Sequence, residues 1–410
     1  MDSSIETETP LNVLVTTSTF PVHLDDGHPR FVFDLSDALA TYGAVTVLAP
    51  DSPGAARHEE LGAVKVRRFS YFFPRSRQML ALRKGMRENL RSSLLTKIQV
   101  PFFLFFQYIA IKKLMRGGTY DVLNAHWLLP QGLTAALAQG FQSQIKLVVH
   151  LHGGDISLLK HMRFGRNIAR FIIKRCDAVF AAGSAVRDEL DLLLGFPSGA
   201  VLQPMGVRRK QFARHDPPLP LPHECKSFQD GYLLCFGRMV EKKGMVYLLQ
   251  AMPRVLKEHP QLKLVLIGDG PEEKRLHEEV NNLGIASSVA LLGRRSQDEI
   301  IGFLHHCRTV IVPSITDRNG ETEGMPTVVV EAMAAGVPVI GSRVAGLPDV
   351  IQHEENGWLC REKDPEDLAE NILLALASDQ EQMARAASGR ADDFDWSQIA
   401  AHYMKVIHAS

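Results

Sequence analysis

The sequence is poor in the features that would commit it to a metal, a disulfide framework or a nucleic acid. Its five cysteines (Cys176, Cys225, Cys235, Cys307 and Cys360) are scattered with no C-x-x-C spacing. An odd, dispersed set speaks for reduced thiols in a cytoplasmic setting and against structural zinc. Neither charge prevails, with 46 Lys and Arg against 46 Asp and Glu, which removes the electrostatic motive for nucleic-acid binding. The opening "MDSSIETETP" is polar and acidic, unlike a secretory signal. No run is expected to reach the roughly 18 apolar residues of a membrane span. These lacks together lead to the expectation of a cytoplasmic protein that at most touches a membrane from inside.

What is present is a repeated alternation. Short β-branched runs such as "LNVLVTT" (11–17), "DVLNAH" (121–126) and "IKLVVHLHG" (145–153) are separated by longer helical patterns. A second series contains "GYLLCFGR" (231–238), "LKLVLIGDG" (262–270), "VALLGR" (289–294), "TVIVPS" (309–314) and "VPVIGS" (337–342). Nearly continuous apolar strands interleaved with helices indicate parallel sheets covered on both faces. The fold class read from this is α/β, with two doubly wound domains. The proline-rich stretch 208–231 is the linker candidate, so the expected domains are 1–206 and 207–392. The closing segment 393–410 contains an amphipathic helix expected to pack back on the first domain. In open α/β sheets ligands bind past the carboxyl ends of the strands, and two such domains facing each other would share a cleft.

Several of those strand ends carry polar residues. "CFGRMVEKKG" puts Arg238 just after a strand and Lys243 before a helix. Two cations there either clamp a phosphate beside a helix N-terminus or belong to a solvated loop. "LIGDG" lacks the third glycine of the dinucleotide fingerprint, so it is poor evidence for NAD. "NGETEGMPTVVVEAMAAG" sets Glu331 inside an apolar helix expected over 326–335, with Glu323 in the loop before it. A helix hydrophobic all round is buried, and a carboxylate buried there needs hydrogen-bond donors. Vicinal hydroxyls such as those of a ribose would supply them, and so would a buried basic partner. In the first domain His126 ends one strand, while His150 and His152 share a face of another, followed by Gly153, Gly154 and Asp155. No acid or cysteine completes a metal set, so none is expected. His150 reads as a core residue, and His126 and His152 as ligand contacts.

Taken together these motifs resemble the family 4 glycosyltransferases, retaining enzymes of the GT-B fold with two Rossmann-like domains. The likeness is strongest over 231–375 and closest to transferases of exopolysaccharide and colanic-acid-like pathways. It implies that Glu323 and Glu331 are the family's paired glutamates, contacting the donor sugar and the ribose hydroxyls of a nucleoside-diphosphate sugar. It implies that Arg238 and Lys243 hold the donor diphosphate and that His126 is the catalytic-site histidine near the donor sugar. "HLHGGDI" is similar to the family's cleft segment through His152, Gly153 and Asp155. Pro326 removes one backbone donor, which leaves the N–H groups of Gly324, Met325 and Thr327. The family's paired glycines after the first strand are represented by Gly27 alone. Selectivity for the base is expected in the loop at Gly293 and Arg294. The sequence is read as having no metal-binding acidic pair of the Asp-x-Asp type, so the resemblance implies a metal-independent reaction without a cofactor.

The acceptor side reads differently. Between Lys65 and Arg116 cations are frequent and Glu88 is the single acid, with the aromatic runs "FSYFFPR" and "VPFFLFFQYIAIKKLM" among them. Basic, aromatic-rich surfaces bind anionic membranes, which leads to an expected peripheral contact through 65–116 and to a lipid-linked or glycan acceptor. The bland reading is a core helix with a solvated basic face. Two other functions remain open at this point: a sugar-nucleotide epimerase of the same fold, and a non-catalytic transferase-like scaffold.

Overall fold

The computed structural model describes residues 10–24, 30–82, 86, 89–90, 93–140, 144–213, 219–220, 222–226, 228 and 231–410. Gly27 therefore lies outside the described residues, as does part of the linker candidate. The chain divides into two compact units. The first comprises 1–181, 187–203 and 399–410, and the second 182–186 and 204–398. The change of unit after 203 lies just before the boundary expected at 206. The C-terminal helix Trp396–Ala409 is counted with the first unit only from Ile399 on.

The first unit holds an eight-stranded sheet. Its strands are β1 (Val13–Thr16), β2 (Val45–Pro50), β3 (His58–Leu61), β4 (Val64–Phe69), β5 (Val122–His126), β6 (Lys146–Leu151), β7 (Ala178–Ala181) and β8 (Val201–Leu202), in the order β3-β4-β2-β1-β5-β6-β7-β8. Every pairing is parallel except β3 with β4. Strand β1 lies at the centre, aligning Val13 with both Val45 and Val122. Its four residues are all buried, as a strand covered on both faces requires. Strand β3 is a polar edge, "HEEL", and its Glu59 holds the buried Arg68 guanidinium at 2.9 Å. Polar edge strands of this kind discourage pairing with other chains.

The second unit is a six-stranded, wholly parallel sheet. Its strands are β9 (Tyr232–Phe236), β10 (Lys263–Ile267), β11 (Val289–Leu291), β12 (Thr309–Val312), β13 (Val339–Ser342) and β14 (Gly357–Cys360), in the order β11-β10-β9-β12-β13-β14. Side chains alternate between two cores with period two. Leu234, Phe236, Val265 and Val310 pack on one face, while Leu233, Cys235, Leu264 and Ile311 pack on the other. Chain order reverses direction between β1 and β5 in the first sheet and between β9 and β12 in the second. Such switch points open a crevice past the strand ends.

One sequence expectation fails here. The helix Leu94–Gly117 is 24 residues long and apolar enough to cross a membrane by length and composition, although Lys97, Pro101 and two glutamines interrupt the run. Only 28% of its most apolar window is buried. It is neither a core helix nor a short segment. One stripe (Thr96, Gln99, Phe103, Gln107 and Ile111) faces the unit, and the opposite side is open.

Close backbone contact fixes the loops that follow β9 and β10. Gly268 adopts φ +147°, and a Cβ there would lie 1.9 Å from the carbonyl oxygen of Gly237. Gly268→Ala is expected to lower stability by about 1–3 kcal/mol from backbone conformation alone, the clash adding to this. Gly389→Ala, on an uncrowded helix position, should instead stabilise by about 0.5–1 kcal/mol. Urea unfolding midpoints of the two variants check the opposite signs.

Candidate functional site

In the second unit the β9 and β12 loops meet at the switch point. After Phe236 the chain passes Arg238, makes a tight turn over Glu241–Lys243 and enters the helix Met245–Glu258 through Gly244. Gly244 has φ +64°, with Pro313 O only 1.9 Å from where a Cβ would stand, so only glycine allows this approach. The β12 loop is tied down at several points. Ile315 N–H donates to Lys242 O at 2.9 Å, and Gly346 N–H donates to Gly324 O at 2.8 Å. Asp317 Oδ1 accepts from the N–H groups of Asn319 and Glu321, and Arg318 pairs with Glu241 at 3.0 Å.

These ties bring Glu323 to Lys243, whose Nζ lies 2.9 Å from Glu323 Oε2. Ser314 Oγ donates to the same oxygen at 3.2 Å. Both charged side chains are mostly buried, at 14% and 13% exposure. Burial pushes the Glu323 carboxyl up, but the Lys243 and Lys242 ammonium groups and these hydrogen bonds outweigh it and hold it below the usual range. Arg238 is exposed on the same loop.

The helix following the β12 loop runs Thr327–Ala334, with Pro326 as its N-cap. Glu331 is half-buried, not enclosed in apolar surroundings as its sequence context implied, and it is already engaged with its surroundings. The physical reason is periodicity: Thr327, Val328 and Glu331 share one helical face, and that face is the half-open one. Gly324 is half-buried, while the Met325 side chain belongs to the core. Gly293, at φ +65°, accepts from Gly268 N–H at 2.9 Å, which fixes the start of its loop, and Arg294 is exposed. An Asp-x-Asp spacing does occur at Asp393 and Asp395, far from any strand end. Asp393 holds Arg390 at 2.6 Å, while Asp395 accepts from Ser397 N–H at 3.0 Å and from Arg209 N–H at 3.3 Å, so both carboxylates are engaged in structural contacts.

The first unit gathers its histidines at the ends of β5 and β6. His126 Nδ1 lies 3.1 Å from His152 Nε2. The His150 ring stacks on His126 at 4.8 Å and on Phe180 at 4.9 Å. Trp127, at φ +73°, is held in a backbone region that aromatic residues rarely adopt, and its ring lies 4.8 Å from His152. Asp155 Oδ2 accepts from Leu128 N–H at 2.8 Å. Burial raises the Asp155 pKa, and hydrogen bonds from Leu128 and neighbouring backbone N–H groups oppose the rise. His126 Nε2, His152 Nδ1 and Asp155 Oδ1 are buried without a hydrogen-bond partner. Buried polar atoms left bare are costly, and here they cluster where a polar ligand would satisfy them.

Sequence reasoning missed Ser314, Lys242 and Trp127. Ser314 could have been found as the polar residue that closes "TVIVPS". Nothing in the spacing announces that Lys242 faces the same carboxylate or that Trp127 takes a left-handed backbone.

Comparisons with known proteins identify the family. The sequence model described as Glycosyltransferase Family 4 matches residues 26–209, and that described as Glycosyl transferases group 1 matches 226–392. The N-acetyl-alpha-D-glucosaminyl L-malate synthase of Bacillus anthracis is 30% identical over 280 residues, 68% of this chain and 71% of its own. The chain belongs to the family 4 glycosyltransferases. Another relative of this glycosyltransferase is the putative colanic acid biosynthesis glycosyltransferase WcaL of Escherichia coli, 26% identical over 302 residues and 70% of each chain. Among solved structures, HepE of Anabaena in complex with UDP and glucose superposes with a TM-score of 0.68 at 18% identity, covering 98% of this chain and 100% of that one. At that identity the likeness speaks for the fold, and the fold is GT-B.

The histidine cluster makes the glycosyltransferase acid-sensitive. Burial pushes His126 and His150 well below the ordinary histidine range, helped by the neighbouring rings, and pushes His152 down to about 3. The unfolded chain takes up these protons near pH 6.5, whereas the folded chain resists them. Stability is therefore full above about pH 6.5 and falls as pH drops, by up to about 1.4 kcal/mol per pH unit for each histidine. His150→Phe, which keeps the stack and removes a bare nitrogen, should flatten that fall. Unfolding midpoints at pH 8 and pH 5 measure it.

Proposed function

We propose that this glycosyltransferase moves a hexose-type sugar from a nucleoside-diphosphate sugar to a lipid-linked or growing cell-surface polysaccharide acceptor, with retention of anomeric configuration. The observation that carries this reading is the Lys243–Glu323 pair, built into two tied loops at the β9/β12 switch point. Lys243 and Arg238 are the cations that take the diphosphate. Glu323, released from Lys243 by the incoming phosphate, turns to hydroxyls of the donor sugar. Glu331, on the half-open face of its helix, takes the ribose hydroxyls. The N–H groups of Gly324, Met325 and Thr327 lie at the start of that helix, and Gly293 and Arg294 border the base. The UDP and glucose bound by HepE and the polysaccharide pathway of WcaL support donor and acceptor classes of this kind.

The chemistry needs no metal. The bond from the anomeric carbon to the leaving phosphate breaks as the acceptor oxygen adds to the same face, through an oxocarbenium-like state. The acceptor proton passes to an oxygen of the departing diphosphate. Lys243 and Arg238 neutralise the charge that develops there, which is electrostatic stabilisation. In the first unit His126, neutral and with a bare ring nitrogen, suits hydrogen bonding to sugar hydroxyls, with His152 beside it and Asp155 in the same family-like segment. The reaction is placed in the cytoplasm, where nucleotide sugars are made.

Thermal shifts with UDP, GDP, ADP and NAD test the donor site on wild type and Glu331→Gln. A ligand at 100 times its Kd stabilises by about 2.7 kcal/mol. One nucleoside diphosphate should shift the wild type and scarcely move the variant; no shift, or a shift with NAD alone, overturns the reading. Conversion of a nucleotide sugar without release of nucleoside diphosphate would identify an epimerase instead. In a release assay with acceptor, Lys243→Ala should lower kcat/KM by about 10²–10³-fold, and EDTA should leave the wild-type rate unchanged.

A further inference from the structure

The helix Leu94–Gly117 carries two faces of opposite character. Its inner stripe is pinned by polar side chains. Gln99 accepts from the N–H groups of Met79 and Leu80, at 3.0 and 3.2 Å, and donates to Arg77 O at 2.7 Å. Gln107 donates to Thr16 Oγ1 at 3.0 Å and accepts from Thr134 Oγ1 at 2.9 Å. The outer stripe exposes Leu94 (73%), Ile98 (50%), Phe102, Phe105 (58%), Phe106 and Ile109. It spans about 22 Å at 1.5 Å per residue. Beside it the loop at Phe73, 86% exposed, adds a further aromatic side chain, and Phe72 packs on Phe102 at 5.6 Å.

Charge frames this stripe on one side of neutrality. Lys97 lies at its start, Lys113 and Arg116 at its end, and Arg77 lies on the neighbouring loop, all exposed, while Arg75 beside it is paired with Asp51. The helix contains no acidic residue. An exposed apolar stripe with cations at both ends is the pattern of a helix lying in a membrane interface. A second copy of the chain fits it poorly, because a self-complementary contact sets Lys97, Lys113 and Arg116 against cations of the same kind.

We infer that the Leu94–Gly117 helix, with the Phe73 loop, docks flat on an anionic lipid bilayer and does not cross it. Crossing would pull Gln99 and Gln107 out of their hydrogen bonds into hydrocarbon, where unpaired polar groups are costly. Lying flat keeps the inner stripe seated and buries only the outer one. The inference deepens the lipid-linked acceptor of the proposed function and rests on it for its purpose, since an acceptor held in a bilayer must be met at its surface.

The test uses the full chain with vesicles of phosphatidylcholine alone and of phosphatidylcholine with phosphatidylglycerol. The wild type should co-sediment with the anionic vesicles at low salt and come off in high salt. Phe105→Ser with Phe106→Ser and Ile109→Ser should abolish binding. Lys113→Gln and Arg116→Gln should each weaken it about fivefold. No binding to either vesicle, or equal binding to both, overturns the inference. Protein that stays with the membrane through high-salt and alkaline washes overturns it in favour of a spanning helix. A dimer that dissociates in the triple variant, without vesicle binding, overturns it in favour of self-association. The nucleoside-diphosphate thermal shift, measured on the same samples, shows that each variant is folded and separates failure here from failure of the transferase reading.

Discussion

Parallel sheets covered on both faces leave little room for charge within their strands. Their central strands are mostly apolar on both sides, with the uncharged Asn124, His126 and His150 as buried exceptions in β5 and β6. Charged side chains are therefore displaced to the loops past the carboxyl ends. Those loops can diverge only where chain order reverses, between β1 and β5 and between β9 and β12. Arg238, Lys243 and Glu323 follow from that constraint in the second unit, and in the first His126 is the last residue of its strand.

The two units meet this constraint with opposite electrostatics. The second concentrates charge, pairing Lys243 with Glu323 in a poorly hydrated place and steadying the carboxylate through Ser314 and Lys242. The first removes charge. Burial keeps three stacked imidazoles neutral, and bare nitrogens are left where no cation could form. A neutral histidine offers hydrogen bonds without attracting phosphate. The division between a charged and an uncharged half is thus written in burial as much as in residue type.

Much of this was legible in the sequence. The apolar strands reveal themselves through β-branched runs, and the switch-point loops through polar residues just beyond them. Strand β3 escaped because "HEEL" is a polar edge with no apolar period, and β8 because two residues carry no period at all. The half-open setting of Glu331 was not legible. An all-apolar helix looks buried throughout when counted by composition, and only the shared face of Thr327, Val328 and Glu331 shows otherwise. The Leu94–Gly117 helix defeated the reading for a related reason. Lysine, proline and glutamine break its apolar run in sequence, while on the helix surface the lysines fall near the ends and the glutamines on the inner stripe, leaving only Pro101 exposed among the apolar residues. Its exposed side is continuous only in three dimensions.

The pairing of Lys243 with Glu323 has a bearing on selectivity among anions. A bare phosphate or sulfate ion that draws the Lys243 ammonium away leaves a mostly buried carboxylate with only Ser314 and the Lys242 charge to offset its desolvation. The electrostatic gain is then largely returned as desolvation. A molecule that carries hydroxyl groups alongside its negative charge can satisfy both halves of the broken pair at once. On the proposed reading the loop therefore favours charge and hydroxyls arriving together over a small anion alone.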